Sequence, residues 1–194
     1  MTQAKSEVTE PKNADGHEIW IEAGLKAVGR SGIDGVRVEV LAKDLGVTKG
    51  GFYRRFKDRR ALLDAILETW RNGRIALIER HTELGGQDAR DRLKSLITFY
   101  SGRVNPEGMA IELAIRQWAR SDRTASAAVA AVDEARLKNV AQLYRKQGLG
   151  SEDAQAWAVL FYSFIFGQSL LYLDQAPRKR ASVIAACAET LIRT

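Results

Sequence analysis

A single cysteine, Cys187, stands in the 194 residues, so no internal disulfide can form, and sparse cysteine suits a reducing cytoplasm. It lies in an apolar stretch, 183–188, and reads as a small buried hydrophobe. The two histidines, His17 and His81, are far apart and supply no metal-ligand cluster of familiar spacing. No glycine-rich phosphate loop follows a strand pattern, and there is no nucleophile elbow. The expectation is a protein that is not an enzyme and uses no metal or cofactor. Alternating apolar–polar runs are also missing, which leaves an all-α fold. The opening MTQAKSEVTEPKNADG has no apolar core, so it is not a signal peptide; residues 1–15 read as a polar, disordered arm.

Long apolar runs are scarce as well. The charge-free segment 154–173 is long enough to cross a bilayer. Gln155, Ser163, Gln168 and Ser169 within it are costly in lipid without partners, and no second such segment occurs. A helix apolar on all faces is equally at home inside a helical body. We read it as a core helix and expect no membrane partner.

What the chain does have is positive charge in one place. The net charge is +6, and the window 43–60 holds seven basic residues against two acidic ones, 7 − 2 = +5. The excess is a patch, compatible with a polyanionic partner.

Apolar spacing and capping signals predict about nine helices. The first spans 16–30, with Trp20, Ala23, Gly24, Ala27 and Val28 on one face. Short helices follow at 38–45 and from Thr48, a plausible N-cap, to Phe56. Asp58 is positioned to cap a fourth, carrying Leu62, Leu63, Ile66, Leu67 and Trp70. Gly85-Gly86 breaks the chain before a fifth at 88–102. Pro106 opens a sixth, and a seventh runs over 124–147. Ser151 is expected to cap the eighth, and Pro177 to open the ninth.

The informative stretch is RVEVLAKDLGVTKGGFYRRFKDR, 37–59. Two short helices joined at Leu45-Gly46-Val47 make a helix-turn-helix. Val40, Leu41 and Leu45 supply one apolar face, and Val47, Phe52 and Phe56 the other. The outer face then presents Lys49, Gly50, Gly51, Tyr53 and Arg54, and Lys and Arg are the residues that reach base edges and phosphates. Two glycines in so short a helix make sense if its backbone approaches a groove wall. Arg59, where helix amides already favour an anion, is expected to complete a phosphate clamp.

At Leu41-Ala42, Gly46-Val47-Thr48, Gly50, Phe52-Tyr53, Arg55-Phe56, Arg59 and Leu62 the chain resembles the tetracycline-repressor (TetR) family. The resemblance implies a DNA-binding domain over 16–62 and a helical dimerisation and effector domain over 63–194. It implies a cytoplasmic homodimer that reads a near-palindromic operator and is released by a small molecule. It assigns phosphate contacts to Tyr53 and Arg59 and base or nearby phosphate contacts to Lys49 and Arg54; Arg37, Thr48, Gly50, Gly51 and Arg55 of the same stretch complete the expected DNA-binding set. Two positions depart from the pattern: Arg37 replaces a Ser or Thr cap, and Glu39 replaces a basic residue, which should weaken contact on that side.

The second half is rich in aromatics with few internal charges. An apolar or aromatic effector is expected near Trp70, Phe99, Trp118 and Phe161. The eighth and ninth helices, with Phe164, Ile184, Cys187 and Leu191, are expected to pair across a two-fold axis. An architectural DNA binder and a helical protein-interaction module are the alternatives. Arg178-Lys179-Arg180, at a helix start, reads as solvated surface.

Overall fold

The computed structural model describes residues 16–84, 88–101, 106–171 and 177–192, and every regular element among them is helical. The expected arm 1–15, the Gly85-Gly86 break and the side chains of His81 and Arg178–Arg180 lie outside the described residues. In chain order the helices are α1 (Glu18–Ser31), α2 (Val38–Asp44), α3 (Lys49–Tyr53), α4 (Arg59–Leu84), α5 (Ala89–Ser101), α6 (Pro106–Trp118), α7 (Arg123–Lys146), α8 (Ser151–Leu170) and α9 (Pro177–Ile192). A 3-10 turn, Ile33–Gly35, which the periodicity does not show, connects α1 to α2.

Helix α4 ties the molecule together. Its 26 residues span about 39 Å. Leu62, Leu63, Ile66, Leu67 and Trp70 are buried along one stripe, as their spacing predicts. A methyl group added to Gly24 of α1 would stand 2.4 Å from Ile66 Cδ1, so α1 and α4 approach as closely as glycine allows. On its other flank, α1 lies against α6, with Gly29 beside Ile111. One apolar cluster therefore runs without a break from Trp20 and Phe52 through Trp70 to Ile115, Trp118 and Val132. It crosses the 62/63 boundary placed by the sequence.

A second cluster fills the far end of the body with Leu93, Ile97, Val140, Tyr144, Phe161, Tyr162 and Ile165. Tyr144 Oη donates to the Leu191 carbonyl at 2.9 Å, pinning α9 to α7. Burial pushes the Tyr144 hydroxyl far up from its ordinary range, so it remains a donor. The charge-free segment forms α8, which buries one stripe, Ala154, Ala158, Phe161 and Ile165, but leaves Val159, Leu160 and Leu170 exposed, so within the subunit it is not the enclosed core helix expected. Among the described residues no helix is long and apolar enough to cross a membrane.

The body is not free of internal charge. Buried Glu112 of α6 accepts from Arg136 of α7 at 2.7 and 3.0 Å and from Arg116 at 2.9 Å. Arg74 of α4 lies 3.4 Å from the same carboxylate and donates to the Gly108 carbonyl at 2.8 Å. Burial alone would raise the Glu112 pKa; the hydrogen bonds from Arg136 and the charges of Arg136, Arg116 and Arg74 outweigh it and hold the group below its ordinary value. Nearer the start of α4, Arg60 donates to Thr124 at 2.7 Å and pairs with Asp122, the N-cap of α7. One cap differs from expectation. Ser151 is the first residue of α8, whose N-cap is Gly150 with no side-chain hydrogen bond.

Candidate nucleic-acid interface

The basic patch becomes a surface through one turn. Gly46 sits at φ +67, a left-handed conformation that costs a side chain dearly. Its N–H donates to the Lys43 carbonyl at 3.1 Å and the next, Val47 N–H, to the Ala42 carbonyl at 2.9 Å. This is the Schellman pattern, which ends α2 and redirects the chain. Thr48 Oγ1 then accepts from Gly51 N–H at 3.2 Å, capping α3.

Phe52 and Phe56 anchor α3 from beneath. Phe52 meets Trp20 edge-on at 5.1 Å and stacks on Phe56 at 5.5 Å, while His17 stacks on Phe56 at 4.2 Å. Val47 does not join them; it is 39% exposed, because the turn that frees α3 carries it outward. With the aromatic underside held, the opposite face points to solvent. Lys49, Gly50, Tyr53 and Arg54 are exposed, and Tyr53 reaches 61%. Arg37 is exposed at the N-cap of α2, with no side-chain capping bond.

Neither glycine of α3 is demanded by packing. A Cβ on Gly50 or Gly51 would meet only Thr48 Oγ1, at 3.7 and 3.8 Å. The space above them is open on the protein side.

Two arginines have neighbours that the sequence did not show. The Arg59 side chain, in an exposed residue, donates from Nε to the Val36 carbonyl at 2.6 Å and from Nη2 to the Ile33 carbonyl at 2.7 Å. The α4 start is served by Asp58, whose carboxylate accepts from Ala61 N–H at 2.8 Å. Asp58 thus caps α4 as its position predicts, and Arg59 staples the 3-10 turn to α4. Arg55 is exposed, with its guanidinium close to Gly16.

Sequence reading also missed a pairing. Lys49 Nζ stands 2.9 Å from Glu39 Oε1, joining α3 to α2. Hydrogen bonding to Lys49, then to its own backbone N–H, with the Lys49 and Arg37 charges adding, holds the Glu39 carboxyl below its ordinary range. No helical periodicity links residues ten apart across a turn, so only opposite charge hinted at it.

The four residues expected around an effector divide between the clusters. Trp70 and Trp118 belong to the first and Phe161 to the second, while Phe99 is half-buried with its ring edge-on to Tyr100. Trp70 Nε1 is a buried donor with no acceptor among the described residues. Of the expected dimer residues, Phe164, Ile184, Cys187 and Leu191 are all half-buried. The exposed large apolar side chains described on these helices are others: Val159, Leu160 and Leu170 on α8 and Val183 on α9.

Residues 21–66 match the family model for bacterial regulatory proteins of the tetR family. The tetracycline repressor protein class A from transposon 1721 of Escherichia coli is 39% identical over 62 residues. That match covers 32% of this chain and 26% of the relative, so it spans about a quarter of the relative's length. A TetR-family transcriptional regulator from Agrobacterium tumefaciens superposes with a TM-score of 0.74 at 14% identity, covering 90% of this chain and 96% of that one. A Saccharomonospora viridis protein proposed to be a transcriptional regulator, solved in complex with choline, gives 0.75 at 16% identity, over 93% and 96%.

Proposed function

We propose that this TetR-family chain, whose residues 21–66 carry the family's N-terminal domain, is a cytoplasmic transcriptional regulator that binds a palindromic operator as a homodimer. The observation that carries the reading is the outward face of α3. Lys49, Tyr53 and Arg54 project from a helix held by buried Phe52 and Phe56, with Arg37 alongside. A short helix with a rigid apolar underside and a cationic upper face fits the major groove. Open space above Gly50 and Gly51 lets the groove wall come close to the backbone. Arg37 and Tyr53 then hold phosphates, with Thr48 adding its hydroxyl proton, while Lys49 and Arg54 reach base edges. Arg55 and Arg59 support the head.

Two-fold pairing through Val159, Leu160 and Leu170, flanked by Phe164, Ile184, Cys187 and Leu191, gives the fixed separation of reading heads that a palindrome requires. Release by a ligand follows from the wiring of α4. That helix enters the head at one end and is tied to the body by Arg60–Asp122 and Arg74–Glu112. A ligand that moves α4 moves the head, provided it binds the two arrangements unequally. The buried Trp70 Nε1 supports an effector there: an aromatic or apolar molecule carrying one acceptor would satisfy that donor.

Sequencing the duplexes that the full-length protein enriches from a random library tests the whole reading. A single palindrome with two half-sites is the expected result. Diffuse binding fits an architectural protein, no enrichment fits a protein-interaction module, and either defeats the regulator reading.

A further inference from the structure

Glu39 is out of place on a surface built to meet a polyanion. It is the second residue of α2, next in space to Lys49 and two residues from Arg37. Facing phosphates, its carboxylate would be repelled. As an ion pair it contributes little to stability, because its side chain and that of Lys49 are 62% and 57% exposed to water. One part of a DNA duplex welcomes a carboxylate: the major-groove edge of the bases, where amino groups donate. Cytosine N4 is the amino group that Glu takes, and guanine O6 and N7 are the acceptors that Lys takes.

These two partners belong to one base pair. The cytosine amino group and guanine O6 are joined by a hydrogen bond, so they lie one hydrogen-bond length apart, about 2.9 Å. Glu39 Oε1 and Lys49 Nζ have the same 2.9 Å separation, with acceptor and donor reversed. The side chains thus present, already paired, the complement of a C·G edge. An A·T pair also sets an amino group beside a carbonyl, but it offers the ammonium only thymine O4, next to a methyl group.

We propose that Glu39 is a base-reading residue that acts as a unit with Lys49 to select a C·G pair in each half-site. The inference rests on the DNA-reading function given above. It reverses the simpler expectation that Glu39 only weakens contact on its side of the head.

Position-by-position preferences of the native protein, Glu39→Ala, Glu39→Gln, Lys49→Ala and the double alanine variant, measured on the enriched operator at one salt concentration, test it. The native protein is expected to require C·G at one position per half-site. Glu39→Ala loses that discrimination by roughly fivefold to a hundredfold while every other position is unchanged. Lys49→Ala loses it at the same position, and the double variant does no worse there than either single one. Glu39→Gln, which donates as well as accepts, shifts the preference toward adenine. Thermal melting of Glu39→Ala is expected to match the native protein, since the side chain is exposed. A Glu39→Ala profile that superposes on the native one, with affinity raised uniformly for all sequences, overturns the inference and leaves Glu39 a repulsive charge. Preference lost at an A·T pair instead overturns the C·G assignment. In both cases the native protein still enriches its palindrome, so the regulator reading stands.

Discussion

Gly50 shows how little an amino acid's identity says until its surroundings are known. A glycine inside a helix costs roughly 1 kcal/mol against alanine. Here the missing methyl would touch only Thr48 Oγ1, at an ordinary 3.7 Å. Gly50→Ala is therefore expected to raise folding stability by up to about 1 kcal/mol and to weaken operator binding, measured by urea denaturation and by DNA titration. A variant that is both more stable and equally tight would show that the glycine serves nothing at the groove. Arg59 is the converse: a cation read as a DNA contact that the fold uses on itself. Losing its bonds to the Val36 and Ile33 carbonyls should lower stability by roughly 1–2 kcal/mol in Arg59→Ala. Lysine, a single point donor, should restore only part of it. Equal melting of Arg59→Ala and the native protein would show that the staple carries no weight.

Among the elements, α4, α6 and α7 are joined by charge rather than by apolar packing alone. Glu112 sits below its ordinary pKa of 4.5, so in the folded protein it binds its proton less readily than in the unfolded chain. Its contribution is fully present above that ordinary value and is lost as pH falls through the lower folded value. Acid unfolding of the native protein should therefore steepen below about pH 4.5. Glu112→Gln should flatten that limb. At neutral pH the same substitution strands Arg136, which is also buried, and should cost about 3–5 kcal/mol. A variant with the native pH profile would show that the carboxylate is not the titrating group. Sequence pattern located these helices well, since apolar stripes and caps are local signals. Thr48 and Asp58 cap α3 and α4 as read from sequence. The 3-10 turn Ile33–Gly35 escaped because three residues hold too few positions to show a period.

For the whole molecule, the exposed apolar side chains of α8 lead to a test of assembly. Leu160 is 53% exposed, so Leu160→Glu leaves the subunit core untouched. It should convert a dimer into monomers in sedimentation and lower operator affinity at least tenfold, because two half-sites are no longer read together. Phe164→Glu is a poorer probe, since that side chain is half inside its own subunit. A native protein that sediments as a monomer at micromolar concentration would end the two-fold model.

By itself the sequence determined the all-helical class, the order of the elements and the helix-turn-helix, since period, caps and the Gly46 turn act over a few neighbouring residues. It also placed the positive patch, because seven of its cations fall within eighteen positions. Only the tertiary structure decided what those cations touch. Arg59 bonded to two carbonyls, Arg55 lay close to Gly16, and Lys49 met Glu39 across the turn. It likewise separated Trp70 and Trp118 from Phe161 and buried Glu112 among arginines from three helices. Each of these outcomes depends on side chains brought together from distant parts of the chain, and no local periodicity encodes which distant partner a long, flexible arginine or an aromatic ring will find.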